Sequence, residues 1–261
     1  MSANHFRALS GATLKTVGAL SIALAFAQPV NAVPFTWDPS LVGLAGASSF
    51  SGDALKATEV SHIHFTSPST WEEHGFAKIT GIVDHGVEST PSNLNSNYTL
   101  YFKFDGTGDF ASSAFTSATV TLYGVNGAST FGIDGNHDAF VDSGVNTAVP
   151  LAINTLVKGT SGGGAGSDLF ADLWTTFAPT AAGAAMFLAP YLPGGFYGHY
   201  LHPLAEQGGV QFIADGGGNL TDIVLNGGND TLSFIPEPAS LMLLAGGLPG
   251  LLRFRRRKTV A

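Results

Sequence analysis

The chain has no cysteine, so it can form no disulfide and carries no thiolate chemistry. Basic residues are nearly as scarce in its middle. Val33 to Ile235 contains four lysines, no arginine and eighteen carboxylates, a net charge of −14 against −8 for the whole chain. Binding to nucleic acid needs clustered Lys and Arg, so this composition excludes it, and it repels anionic lipid. It suits cations and basic polymers. Catalytic signatures are missing too. There is no HExxH pair of metal ligands, no GxSxG nucleophile elbow, no phosphate loop and no dinucleotide fingerprint. Glycine is abundant, but Phe, Tyr, Trp, Ile, Leu and Val recur throughout, which argues against disorder. About 200 residues suffice for one substantial core.

The basic residues absent from the middle sit at the ends. Residues Met1 to Ala32 carry Arg7 and Lys15, then an apolar run from Val17 to Ala27, then Val30 and Ala32. That three-part layout reads as a secretory signal peptide cut after Ala32, the competing reading being a buried N-terminal helix. It implies a secretion translocon and a signal peptidase as partners. At the other end, Pro236, Glu237 and Pro238 precede the apolar stretch Ala239 to Leu252, and Arg253, Arg255, Arg256, Arg257 and Lys258 follow. The apolar stretch is short for a bilayer span of about 20 residues, although Phe254 extends it. The basic cluster behind it would stop transfer and stay on the cytoplasmic side. Two prolines make a stiff extended element outside the membrane.

In this order, the tail resembles the PEP-CTERM sorting signal of exopolysaccharide-producing Gram-negative bacteria. The resemblance implies recognition of Pro236, Glu237 and Pro238 by exosortase, a membrane transpeptidase, with transient anchoring in the inner membrane. The segments Pro34–Pro39, Gly52–Phe65 and Tyr98–Phe110 are similar to the flocculation-associated group of PEP-CTERM proteins. That likeness implies a role in biofilm or floc cohesion with exopolysaccharide as partner, at the cell surface or in the extracellular matrix.

Between the ends the pattern alternates. Glu59 to Phe65 puts Val60, His62 and His64 on one face of a strand. Phe76–Val83, Tyr98–Phe104, Ala118–Tyr123, Pro150–Val157, Ala184–Leu188, Val210–Ala214, Leu220–Leu225 and Thr231–Phe234 read as further strands. Asp105 to Asp109 reads as a turn. Asp168 to Phe177 fits a short amphipathic helix through Leu169, Leu173 and Phe177, with Ser167 as N-cap. The expected fold is therefore an all-β, antiparallel, β-sandwich-like domain over 33–235, with that one helix, a signal peptide before it and a transmembrane sorting helix after it.

Candidate chemistry is thin. His62 and His64 could both reach one metal, but zinc needs three or four converging ligands. Asp134, Asn136, Asp138 and Asp142 echo the donor spacing of a calcium loop, with Ala139 in place of its glycine and Val145 in place of its glutamate. Gly227 to Leu232 echoes one calcium-binding nonapeptide, without neighbouring repeats. Paired acids such as Asp105 with Asp109, or Asp168 with Asp172, would be arbitrary choices for hydrolysis. Tyr197 and Tyr200 could stack on sugars. The expectation is a non-enzymatic exported matrix protein without a cofactor beyond calcium. A glycan- or calcium-binding protein is the alternative, and a polysaccharide hydrolase comes third.

Overall fold

The computed structural model describes residues 32–162, 170–189, 196–203 and 209–236. Among them the strands, in chain order, are β1 (Phe35–Trp37), β2 (Phe50–Gly52), β3 (Ala54–Phe65), β4 (Thr70–Asp84) and β5 (Val87–Ser89). Then come β6 (Tyr98–Asp109), β7 (Ala114–Asn126), β8 (Thr130–Ile133), β9 (Ala139–Asp142) and β10 (Val149–Gly162). The last are β11 (Phe170–Thr176), β12 (Phe187–Ala189), β13 (Phe196–Pro203), β14 (Val210–Ala214) and β15 (Leu220–Pro236). Ala32 to Pro236 forms one compact unit. The protein is all-β, as its alternation indicated.

The architecture differs from a sandwich. The order β13-β11-β10-β7-β6-β4-β3-β15 closes on itself, because Phe196–Leu201 of β13 pair with Thr231–Pro236 of β15. The result is a closed eight-stranded antiparallel barrel, with no unpaired edge around its wall. The physical reason lies in strand length. Asp105 to Asp109 is not a turn but the end of β6, 12 residues long. The segments Leu220–Leu225 and Thr231–Phe234 are one 17-residue strand, β15. Strands this long coil, and bulges bend them: register shifts fall at Lys56/Ala57, Thr107/Gly108 and Asn226/Asn229. Sandwich corners would need breaks where these strands run on.

The expected helix is also a strand. Phe170–Thr176 is β11, hydrogen-bonded between β10 and β13, with Leu173 turned inward and 8% exposed. Among the described residues helical structure is limited to two 3₁₀ turns, Pro39–Val42 and Gly183–Ala185, and no helix is long and apolar enough to cross a membrane. Ser167, Asp168 and Leu169, like the expected signal peptide and the sorting helix over Ala239–Leu252, lie outside the described residues.

Large and small residues alternate across the inner wall of β4 and β6. Trp71 lies opposite Gly108, Gly75 opposite Phe104, and Ala77 opposite Phe102. An eight-stranded barrel has room for one layer of side chains, so each ring needs a small partner. A Cβ on Gly108 would stand 2.2 Å from Trp71 Cζ2. One end of the barrel is closed by β1, packed between β12 and β2 in a three-stranded sheet. Its Trp37 contacts Phe35, Phe50, Phe187 and Phe234 with ring centroids 5.1–6.0 Å apart. The surface carries Lys56, Lys78, Lys103 and His74 together with exposed apolar residues such as Ile153 and Val157, while the interior includes the carboxylates of Glu59, Glu73 and Asp230.

The hairpin β8–β9 lies on the outside of this wall. Phe131 anchors it, 5.4 Å from the Tyr101 ring and 6.4 Å from Phe76, with Lys78 Nζ 5.4 Å from the Phe131 centroid.

Candidate functional site

The alternation of β3 aims His62 and His64 outward, and the antiparallel register of β15 sets Asp222 opposite His64. The Asp222 Oδ1 atom is 2.9 Å from His62 Nε2 and 2.7 Å from His64 Nδ1. Two imidazole nitrogens and one carboxylate thus converge, all three ligand atoms within 4.8 Å of one another. The niche is graded in exposure: the side chains of His62 and Asp222 are 16% and 18% exposed, that of His64 47%. Burial pushes the Asp222 carboxyl up, but hydrogen bonds with His64, His62 and Thr221 and the charge of His62 outweigh it, holding the group below the ordinary carboxylate range.

The hairpin completes the surroundings. Asp134 Oδ1 accepts from the backbone N–H groups of Asn136 and Asp138 at 2.8 and 3.0 Å, a side-chain-capped turn that fixes the tip. The backbone N–H of Asp134 also donates to the Asp138 carbonyl at 2.9 Å. This turn holds Asp138 with its Oδ1 3.7 Å from His62 Nδ1, on the opposite side of the ring from Asp222.

The calcium-like spacing is therefore divided among other tasks. Asp134 caps the turn, and Asn136 lies exposed in it. Asp142 pairs with Thr130 at the other end of the hairpin and accepts from the Gly144 N–H at 2.8 Å. These oxygens do not converge; only Asp138 turns toward the histidines. Gly227 to Leu232 is no calcium nonapeptide turn but the bulge of β15, where Gly227 takes φ +93. A second His–carboxylate group, Asp53, Asp84 and His85, sits at the exposed β4–β5 turn, where Asp53 accepts from the His85 N–H and Asp84 bonds the His85 ring.

Asp105 and Asp109 take separate roles as well, and Asp168 lies outside the described residues. Asp105 faces outward between His74 Nδ1 at 2.8 Å and Lys103 Nζ at 3.0 Å. Asp109 caps the following turn through the Ala111 and Ser112 N–H groups. Asp172 bonds His199 Nε2 at 2.9 Å. Tyr200 points into the barrel: its ring meets Phe102 edge-on at 5.5 Å and its hydroxyl lies 3.2 Å from Asn154 Nδ2. That placement removes it as a sugar platform. Tyr197 stands on the outer wall beside Trp174. The Trp174 indole is itself flanked by Lys158 from β10 at 4.2 Å and His199 from β13 at 4.5 Å.

Inside the barrel, a cavity of about 80 Å³ is bounded by Phe102, Phe104 and Tyr200 together with Glu59, Glu73 and Asp230. The Ser61 hydroxyl donates to Glu73 at 3.0 Å. Of the sorting residues, Pro236 ends β15, while Glu237, Pro238, Arg253, Arg255, Arg256, Arg257 and Lys258 lie outside the described residues.

The residue that sequence reading missed is Asp222, 160 positions from His62. The only signal was its place on the same face as Val224 in an alternating strand. No family model matches the chain, no curated protein matches it, and no solved structure matches it.

Proposed function

We propose that this chain is an exported, non-enzymatic protein of the envelope or extracellular matrix, held briefly in the inner membrane by its tail, trimmed by an exosortase and supporting floc or biofilm cohesion with exopolysaccharide. The observation that carries the reading is the order of Pro-Glu-Pro, apolar stretch and basic cluster at Pro236–Lys258, beginning at the last residue of the last barrel strand. Pro236 still pairs with Phe196 on β13. In sequence the motif thus follows the last barrel strand with no intervening linker. The charge separation supports the same reading: a body of net charge −14 that crosses, and five basic residues that stay behind.

Replacing Arg253, Arg255, Arg256, Arg257 and Lys258 by neutral residues tests it. The expected result is loss of membrane retention and of C-terminal trimming, followed by immunoblotting of fractionated cells. Trimming at the wild-type rate would count against the sorting assignment. Deleting the coding region should also abolish floc or biofilm cohesion in a strain that makes exopolysaccharide.

A further inference from the structure

We propose that His62, His64 and Asp222 bind one divalent transition-metal ion of the zinc class, with Asp138 of the β8–β9 hairpin orienting the His62 ring. The inference stands on the barrel's own geometry and does not rest on the sorting reading.

Donor chemistry selects the ion. Two imidazole nitrogens with one carboxylate suit zinc, cobalt or nickel, whereas calcium and magnesium take six or more oxygens. Three protein ligands leave a fourth tetrahedral position for water or an external donor. Donor placement fits as well. With bonds of about 2.0–2.1 Å, tetrahedral ligand atoms stand roughly 3.3 Å apart. The present separations from Asp222 Oδ1, 2.7 and 2.9 Å, need to open by about half an ångström, within reach of small side-chain rotations. His62 offers Nε2 and His64 offers Nδ1 to the same oxygen, so the two rings of one strand already converge on one point.

Asp138 lies on the other nitrogen of the His62 ring from Asp222. In metal sites the second nitrogen of a ligating histidine is characteristically held by a carboxylate, which fixes the tautomer and raises ligand basicity. His62 has that arrangement: Nε2 toward the convergence point, Nδ1 toward Asp138 at 3.7 Å. At this separation the carboxylate acts on the ring by charge rather than through a direct hydrogen bond. The tip is preorganised for this by the Asp134 cap and the Phe131 anchor. The half-exposed His64 ring provides the way in from solvent, and the acidic body raises the local cation concentration.

The test uses the full-length, untagged chain, stripped with chelator and titrated with Zn²⁺ in competition with a chromophoric chelator, and with Co²⁺ by absorption spectroscopy. The expected result is one tight equivalent and cobalt d–d bands of a tetrahedral nitrogen–oxygen site. H64Q and D222N should each weaken binding at least 100-fold. D138N should weaken it by about 10-fold, the range found when an outer carboxylate is removed. H85Q, in the other His–carboxylate group, should bind as the wild type does. An excess of Ca²⁺ should not displace the ion. Near-ultraviolet circular dichroism checks that each variant is folded. H64Q carries the result if D222N is not, because its ring is half solvent-exposed. Binding of Zn²⁺ by folded H64Q as tight as by the wild type would overturn the assignment. So would displacement by calcium, a shift of affinity in H85Q instead, or a wild-type cobalt spectrum that is octahedral or featureless.

Discussion

Trp37→Ala is expected to destabilise the barrel by about 3–5 kcal/mol, the cost of deleting a large buried aromatic side chain. Trp37 is 2% exposed and touches four other rings, from β1, β2, β12 and β15. It lies where the three-stranded sheet closes the end of the barrel, so its loss opens a void that no single neighbour can fill. Both the transfer energy of the indole and the cavity left behind contribute. Urea denaturation of the full chain should show a lower midpoint with an unchanged slope. Trp174 provides the comparison. It is only partly buried on the outer wall, and its alanine variant should lose about 1 kcal/mol, chiefly the contacts with Lys158 and His199. Equal losses at the two positions would mean that the barrel end is not packed as described.

Gly75→Ala is expected to cost about 2–3 kcal/mol although it adds one methyl group. That methyl would stand 2.4 Å from Phe104 Cζ and 2.5 Å from Ser61 Cβ. Ser61 is fully buried on β3, and Phe104 packs against the core from β6, so β4 cannot yield on either side. The clash is relieved from the Phe104 side. Phe104→Leu in the G75A background should recover more than 1 kcal/mol relative to the sum of the single losses, a coupling read from a double-mutant cycle. Strict additivity would show that the two residues do not face each other across the inner wall.

Both effects depend on complementarity between strands, and this is also where sequence reading stopped. The alternation in Glu59–Phe65 and Tyr98–Phe104 identified β3 and β6 and the faces of their side chains. It could not identify closure, because a strand in a sandwich and a strand in a barrel share the same period of two; the difference lies in which strand Phe196–Leu201 pairs with. Leu169, Leu173 and Phe177 recur every four residues, a spacing that is even and therefore equally compatible with a strand face and with a helical stripe. Pairing of β11 with β10 on one side and β13 on the other decided for the strand. Glu59 is 4% exposed on the inner wall, where a local pattern would place an apolar residue.

The candidate site divides along the same line. His62 and His64 on one face were legible, since two residues two apart on a strand must share it. Asp222 was not, because only the β3–β15 register brings it there. Asp138 was noticed for calcium-like spacing, yet its position depends on a hairpin folded back over the barrel wall by Phe131. Tyr200 read as a surface aromatic in a Gly-rich segment and proves to be an inward residue of β13. Burial pushes its hydroxyl well above the ordinary tyrosine range, against the hydrogen bond with Asn154.

Under the proposed function the barrel is trimmed at both borders, after Ala32 and close to Pro236. Intact-mass spectrometry of the protein recovered from the cell surface and the surrounding matrix measures this directly. The expected species begins at Val33, ends near the Pro-Glu-Pro motif and lacks Arg253–Lys258. Extracellular material that still carries Met1 or the final basic residues, with no membrane-held precursor in the cells, would contradict it.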